Sequence, residues 1–309
     1  MTLDPRAKRL LDMMKLPTSA NSGTLTTAAR REGFAKLMDI GEKPVSIAFT
    51  HDIVVQENDV SIKLRLYRAQ DIDGAPQPAV IFFHGGGLVA GSIDTHDGIC
   101  RRLAIASSAT VMSIDYRLAP EARFPASLED AATAIDWIAA NAGNLNIDSD
   151  RIAIAGESAG ALLATLCCNG YQHINHRPKA QLLLCPVVDL AATFPSRLEY
   201  GDGYLIDRST LLRDIEDCLG TGARAEHLPA PFRNGDLASS PETIIVSAGC
   251  DPFRDEASHY ETLLRDKGVP VWHMHHPGMV HSFYGLPAFL PQADVALGDA
   301  GRKLATILG

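Results

Sequence analysis

No stretch of the 309-residue chain is apolar for long enough to span a bilayer. The N-terminal MTLDPRAKRLLDMMKL lacks the apolar core and small-residue cleavage site of a secretory leader. These two lacks exclude integral membrane association and make the cytoplasm the expected location. The six cysteines, Cys100, Cys167, Cys168, Cys185, Cys218 and Cys250, form no CxxC pair, so neither a zinc site nor a dithiol motif is expected. They read as reduced thiols, with Cys167 and Cys168 small core residues on a helix and Cys250 partly accessible. No run of like charge, low-complexity tract or internal repeat occurs. A net charge of −9 and a pI near 5.6 argue against nucleic acid as a partner. What is present in quantity is apolar residues, 46% of the chain, enough for one large α/β domain or two small ones.

Residues 1–45 have two helical patterns, Arg6–Met14 and Ala28–Met38, separated by a break from Pro17 to Gly23. They read as a helical arm packed on the domain or a lid over a pocket. From Val45 the period becomes two. Ile47–Val55 and Val60–Tyr67 alternate as strands around a turn at Glu57-Asn58-Asp59. Strands then alternate with helices. The predicted strands are Ala79–Phe83, Thr110–Asp115, Ile152–Ala155, Gln181–Val187, Thr243–Ala248 and Pro270–His275. The predicted helices are His96–Ser107, Pro125–Asn141, Ala161–Leu166, Asp255–Lys267 and Pro291–Leu308. The rhythm fails over 190–235, which reads as an insertion with one helix near Ser209–Leu219. Continuous apolar strands separated by helices imply a mostly parallel sheet covered on both faces.

Gly156-Glu157-Ser158-Ala159-Gly160 joins a buried strand to a helix and fits the strained elbow that lifts a serine hydroxyl off a sheet. Side chains two positions either side of the serine would collide in so sharp a bend. The Ala159 N–H then points where an oxyanion could form. Three glycines, Gly85, Gly86 and Gly87, follow the strand Ala79–Phe83 and offer further amides, with His84 bracing their loop. A serine of this kind needs an acid and then a histidine, in that chain order. Asp251 and His281 both fall in loops after predicted strands, where open α/β sheets place their ligands. Rivals are Asp189 as the acid, Asp255 and Glu256 as helix-capping carboxylates, and His273, His275 and His276 in the last strand. Period two puts His273 and His275 on one face. Glu157 reads as a carboxylate paired with nearby polar or backbone groups.

Assembled in order, HGGG at His84–Gly87, DYRLAPE at Asp115–Glu121, GESAG at Gly156–Gly160, DPFRDE at Asp251–Glu256 and GxxH at Gly278–His281 resemble the bacterial hormone-sensitive-lipase-like esterases of the α/β-hydrolase superfamily. The match covers about residues 75–290. The resemblance implies hydrolysis of a small-molecule carboxylic ester without metal or organic cofactor. It implies a triad of Ser158, Asp251 and His281, and oxyanion donors at Gly86, Gly87 and Ala159 adjoined by Gly85. It implies a helical cap built from 1–45 and the 190–235 insertion, over a catalytic domain spanning 46–309. Short acyl chains are expected, because no long apolar lid helix is evident. The same machinery serves amidases, lactonases and acyltransferases. Plant gibberellin receptors share the fold but have lost the histidine, which argues against a binding-only role here. A homodimer is expected if the last strand is an exposed edge. Three features depart from the family: Ser282 where glycine is usual, Ala161 where a further glycine is common, and Leu228–Pro241, which departs from the expected proline-rich pattern.

Overall fold

A computed structural model of the chain describes residues 2–14, 25–57, 60–70, 74–222, 224–228 and 230–309. Eight strands form one sheet. They are β1 (Phe49–Glu57), β2 (Val60–Arg68), β3 (Gln77–Phe83), β4 (Thr110–Asp115), β5 (Ile147–Glu157), β6 (Ala180–Leu184), β7 (Glu242–Cys250) and β8 (Val271–Val280). Their spatial order is β1-β2-β4-β3-β5-β6-β7-β8. The two pairings that involve β2 are antiparallel, and every later pairing is parallel.

The parallel strands read as unbroken apolar runs because both faces are buried. In β3, Ala79, Ile81 and Phe83 pack with helices α4 (Ala126–Ala140), α5 (Ala159–Cys168) and α9 (Arg254–Asp266). Val80 and Phe82 point the other way, toward α1 (Pro5–Met14), α3 (Asp97–Ser107) and α10 (Gln292–Leu308). The doubly covered parallel sheet is therefore as expected.

Three expectations are corrected. β6 stops at Leu184 rather than Val187, because Cys185 turns into positive φ (42°) after its amide has made a last bond to Val246 O of β7 at 2.8 Å. β8 runs on to Val280, five residues past His275. It is the last strand of the sheet, so Pro277, having no N–H to give, removes no central ladder bond. The insertion holds more than one helix: α7 (Arg208–Leu219) is joined by the short α6 (Pro195–Glu199) and α8 (Pro231–Asn234). Both short helices start on proline, which is permitted in the first turn, where its missing N–H is not needed. The N-terminal pair appears as α1 and α2 (Thr27–Gly41). The expected break at Pro17–Gly23 and the turn at Asn58-Asp59 lie outside the described residues. No helix among the described residues is long and apolar enough to cross a membrane.

Candidate active site

Ser158 follows β5 and precedes α5 with φ 53° and ψ −117°, a conformation that a side chain occupies at a cost. The flanking glycines show what enforces it. A Cβ on Gly156 would overlap the Gly160 carbonyl, and a Cβ on Gly160 would overlap the Phe83 carbonyl of β3. The bend is thus wedged against the neighbouring strand, and the Ser158 amide is tied to Leu184 O at 2.9 Å.

His281 lies just beyond β8 and Asp251 just beyond β7. His281 Nε2 sits 2.8 Å from Ser158 Oγ, and its Nδ1 sits 2.8 Å from Asp251 Oδ2. All three residues are buried. Burial pulls the imidazole pKa down, and the Asp251 carboxylate and its hydrogen bond push it up by more, so the net direction is upward. Asp251 Oδ1 accepts the Phe253 amide at 2.7 Å, which fixes the carboxylate.

The rival acids are otherwise engaged. Asp189 pairs with Arg233. Asp255 accepts the Ser196 amide at 2.9 Å. Glu256 does not cap its own helix: its Oε2 accepts the Val188 and Asp189 amides, each at 3.0 Å, and its Oε1 meets Arg197. His273 and His275 do share a face, both contacting Ser247 Oγ, at 2.7 and 2.9 Å. His276 contacts Gln292. Cys250 is buried, not partly accessible, because β7 continues through it.

Gly86 (φ 114°) and Gly87 (φ 68°) carry the loop after β3 through left-handed backbone, and their amides make no hydrogen bond among the described residues. Gly85 departs from expectation. Its N–H donates to His96 Nε2 at 3.1 Å, leaving Gly86, Gly87 and Ala159 as the available donors. His84 braces the loop as expected: its Nδ1 meets the Gly85 carbonyl at 2.8 Å and its ring stacks on Tyr116 at 4.2 Å. Burial and the neighbouring His96 hold His84 neutral, with its pKa lowered to about 3.

Two specific contacts escaped the sequence reading. His96 accepts from Gly85 at Nε2, so its proton is on Nδ1, facing Thr95 Oγ1 at 2.9 Å. Ser282, in left-handed backbone (φ 53°), donates its hydroxyl to Glu157. The second contact has no local signature, since Ser282 and Glu157 stand 125 positions apart. Cys185, Asp251 and His281 are the one group of metal-type donors brought together among the described residues. Both His281 nitrogens are already engaged there.

A cavity of about 180 Å³ opens over Ser158 and His281. Its walls are the Gly86–Leu88 loop, Phe34, Leu37 and Met38 of α2, and Leu211 and Ile215 of α7.

The chain was compared with known proteins. Residues 80–285 match the family described as the alpha/beta hydrolase fold. Esterase LipI of Mycobacterium tuberculosis is 33% identical, with 99% of this chain and 95% of the relative aligned. The arylesterase of Saccharolobus solfataricus is 32% identical over 96% and 97%. Ethyl acetate hydrolase of Pseudomonas putida is 34% identical over 77% and 76%. Among solved structures, an ester hydrolase from the Lake Arreo metagenome, complexed with a bipyridine phosphonate derivative, superposes with a TM-score of 0.93 at 31% identity, covering 99% of both chains. A hyperthermophilic esterase of Pyrobaculum calidifontis gives 0.89 at 32%, again covering 99% of both.

Proposed function

The chain belongs to the α/β-hydrolase fold family, in its hormone-sensitive-lipase-like branch, and is a carboxylic ester hydrolase; from that premise we propose that Ser158, His281 and Asp251 perform the hydrolysis through an acyl-serine intermediate. The observation that carries the proposal is the pair of 2.8 Å contacts linking the three side chains at the floor of the cavity.

His281 Nε2 takes the Ser158 proton as Oγ attacks the ester carbonyl. Asp251 keeps the other proton on Nδ1 and offsets the charge the imidazole gains. The carbonyl oxygen, now negative, is received by the amides of Gly86, Gly87 and Ala159, each such donor being worth about 3 kcal/mol of barrier. The imidazolium returns its proton to the departing alkoxide. Water then repeats the sequence on the acyl-serine.

Helices α2 and α7 act as the cap, and the cavity of about 180 Å³ favours short to medium acyl chains. Ser158→Ala is expected to abolish hydrolysis of 4-nitrophenyl butyrate and labelling by a fluorophosphonate, with an unchanged circular dichroism spectrum. Undiminished turnover by that variant would falsify the assignment. Across a 4-nitrophenyl ester series from acetate to palmitate, kcat/KM is expected to peak at or below the octanoate; a peak at palmitate would refute the chain-length reading.

A further inference from the structure

Two charged side chains outside the triad face the otherwise mostly apolar cavity: Arg30 of α2 and Asp214 of α7. Both are largely buried, with 10% and 17% of their side-chain surface exposed. Arg30 Nη2 donates to Asp214 Oδ1 at 2.5 Å and lies 3.3 Å from Asp217 Oδ2. Its other terminal nitrogen, Nη1, is buried and has no hydrogen-bond partner among the described residues. A guanidinium nitrogen carries two N–H groups and accepts nothing, so Nη1 is a charged donor removed from water and left unsatisfied. Buried donors in that state are rare, because each forfeits its hydration for no return.

The place of this pair matters as much as its chemistry. Asp214 packs directly on the Gly87 Cα: a Cβ there would overlap Asp214 Oδ2. The polar corner therefore adjoins the loop proposed above to hold the oxyanion, within reach of a substrate seated on Ser158.

We infer that Arg30 is a specificity-determining residue, whose Nη1 receives an uncharged oxygen acceptor, a carbonyl or ether, carried by the substrate a few bonds from the scissile ester. An anionic group is disfavoured by the local charge count. Two guanidiniums, Arg30 and Arg213, face two acids, Asp214 and Asp217, with Arg213 Nε 3.6 Å from Asp217 Oδ1, so the corner carries no net positive charge. The inference rests on the proposed reading of this cavity as the ester site.

The test compares kcat/KM for matched phenyl esters, each corrected for its rate with hydroxide. The pairs are 4-oxopentanoate with pentanoate, 5-oxohexanoate with hexanoate, and the anionic monoester of adipate with hexanoate. At least one oxo ester is expected to lead its alkyl partner by about tenfold or more, as a hydrogen bond to a charged donor warrants. The adipate monoester is expected to fall below the hexanoate. Arg30→Met is expected to bring the leading ratio to within about twofold of unity. If that variant does not fold, Arg30→Met with Asp214→Leu removes the pair together, and the same ratio is read. Ratios near unity in the wild type, a preference that survives loss of the guanidinium, or a lead for the adipate monoester would each overturn the inference. Turnover surviving Ser158→Ala would instead sink the assignment of the cavity.

Discussion

In the proposed mechanism His281 must be neutral to accept the Ser158 proton, yet Asp251 at 2.8 Å favours its charged form. With its pKa raised above the ordinary 6.5, kcat/KM is expected to climb with pH through a midpoint above 6.5 and then level off. Stability runs the other way. A raised imidazole pKa contributes stability that is fully present below the unfolded pKa and lost as pH rises through the folded one. Asp251→Asn is expected to move the rate midpoint down and cut kcat by about 10⁴-fold, through loss of the tautomer that leaves Nε2 free. A pH–rate profile of both proteins checks this; an unmoved midpoint would refute it. Ser282 presents a second balance. Glycine at this position would relieve the left-handed backbone by about 1 kcal/mol. It would also remove a donor from the buried Glu157, at a cost of about 1–3 kcal/mol. The net expectation for Ser282→Gly is a loss of about 1 kcal/mol, seen as a lower urea midpoint with an unchanged m-value.

At the scale of elements, the insertion is held to the sheet by a buried ion pair. Arg197 of α6 donates to Glu256 of α9 and to the Asp189 carbonyl, and its guanidinium lies 4.6 Å from the Phe253 ring centre. Phe253 in turn lies 5.1 Å from the His281 ring. Burial raises the Glu256 pKa, against the pull of Arg197 and two backbone amides. Arg197→Met strands that carboxylate and is expected to lower stability by about 3 kcal/mol. Arg197→Met with Glu256→Leu removes both charges and is expected to recover most of the loss. Denaturant melts of the two variants decide it, and equal losses would refute the ion-pair account.

At the scale of the whole molecule, the sheet was legible because strands buried on both faces cannot avoid being apolar, as Ala79–Phe83 and Ile152–Ala155 are. The meeting of Ser158, Asp251 and His281 was legible because chain order and strand ends restrict which acid and which histidine can reach the elbow serine. What stayed hidden is what distant segments do to each other. Arg30 and Asp214 are 184 positions apart, and nothing near either announces the other. The amide of Gly85 was misjudged for the same reason, since its partner His96 arrives from the far side of the next loop. The short helices of the insertion were missed because segments of five and four residues are too short to show a helical period.

The bend at Ser158 is braced by the Phe83 carbonyl on one side and Leu184 on the other, while the imidazole beside it is nearly a hundred residues downstream of Leu184. On the proposed assignment, the segments that brace the nucleophile are synthesised well before the base. On the proposed triad, truncation anywhere before residue 281 leaves Ser158 without its base, and such a fragment is expected to be inactive.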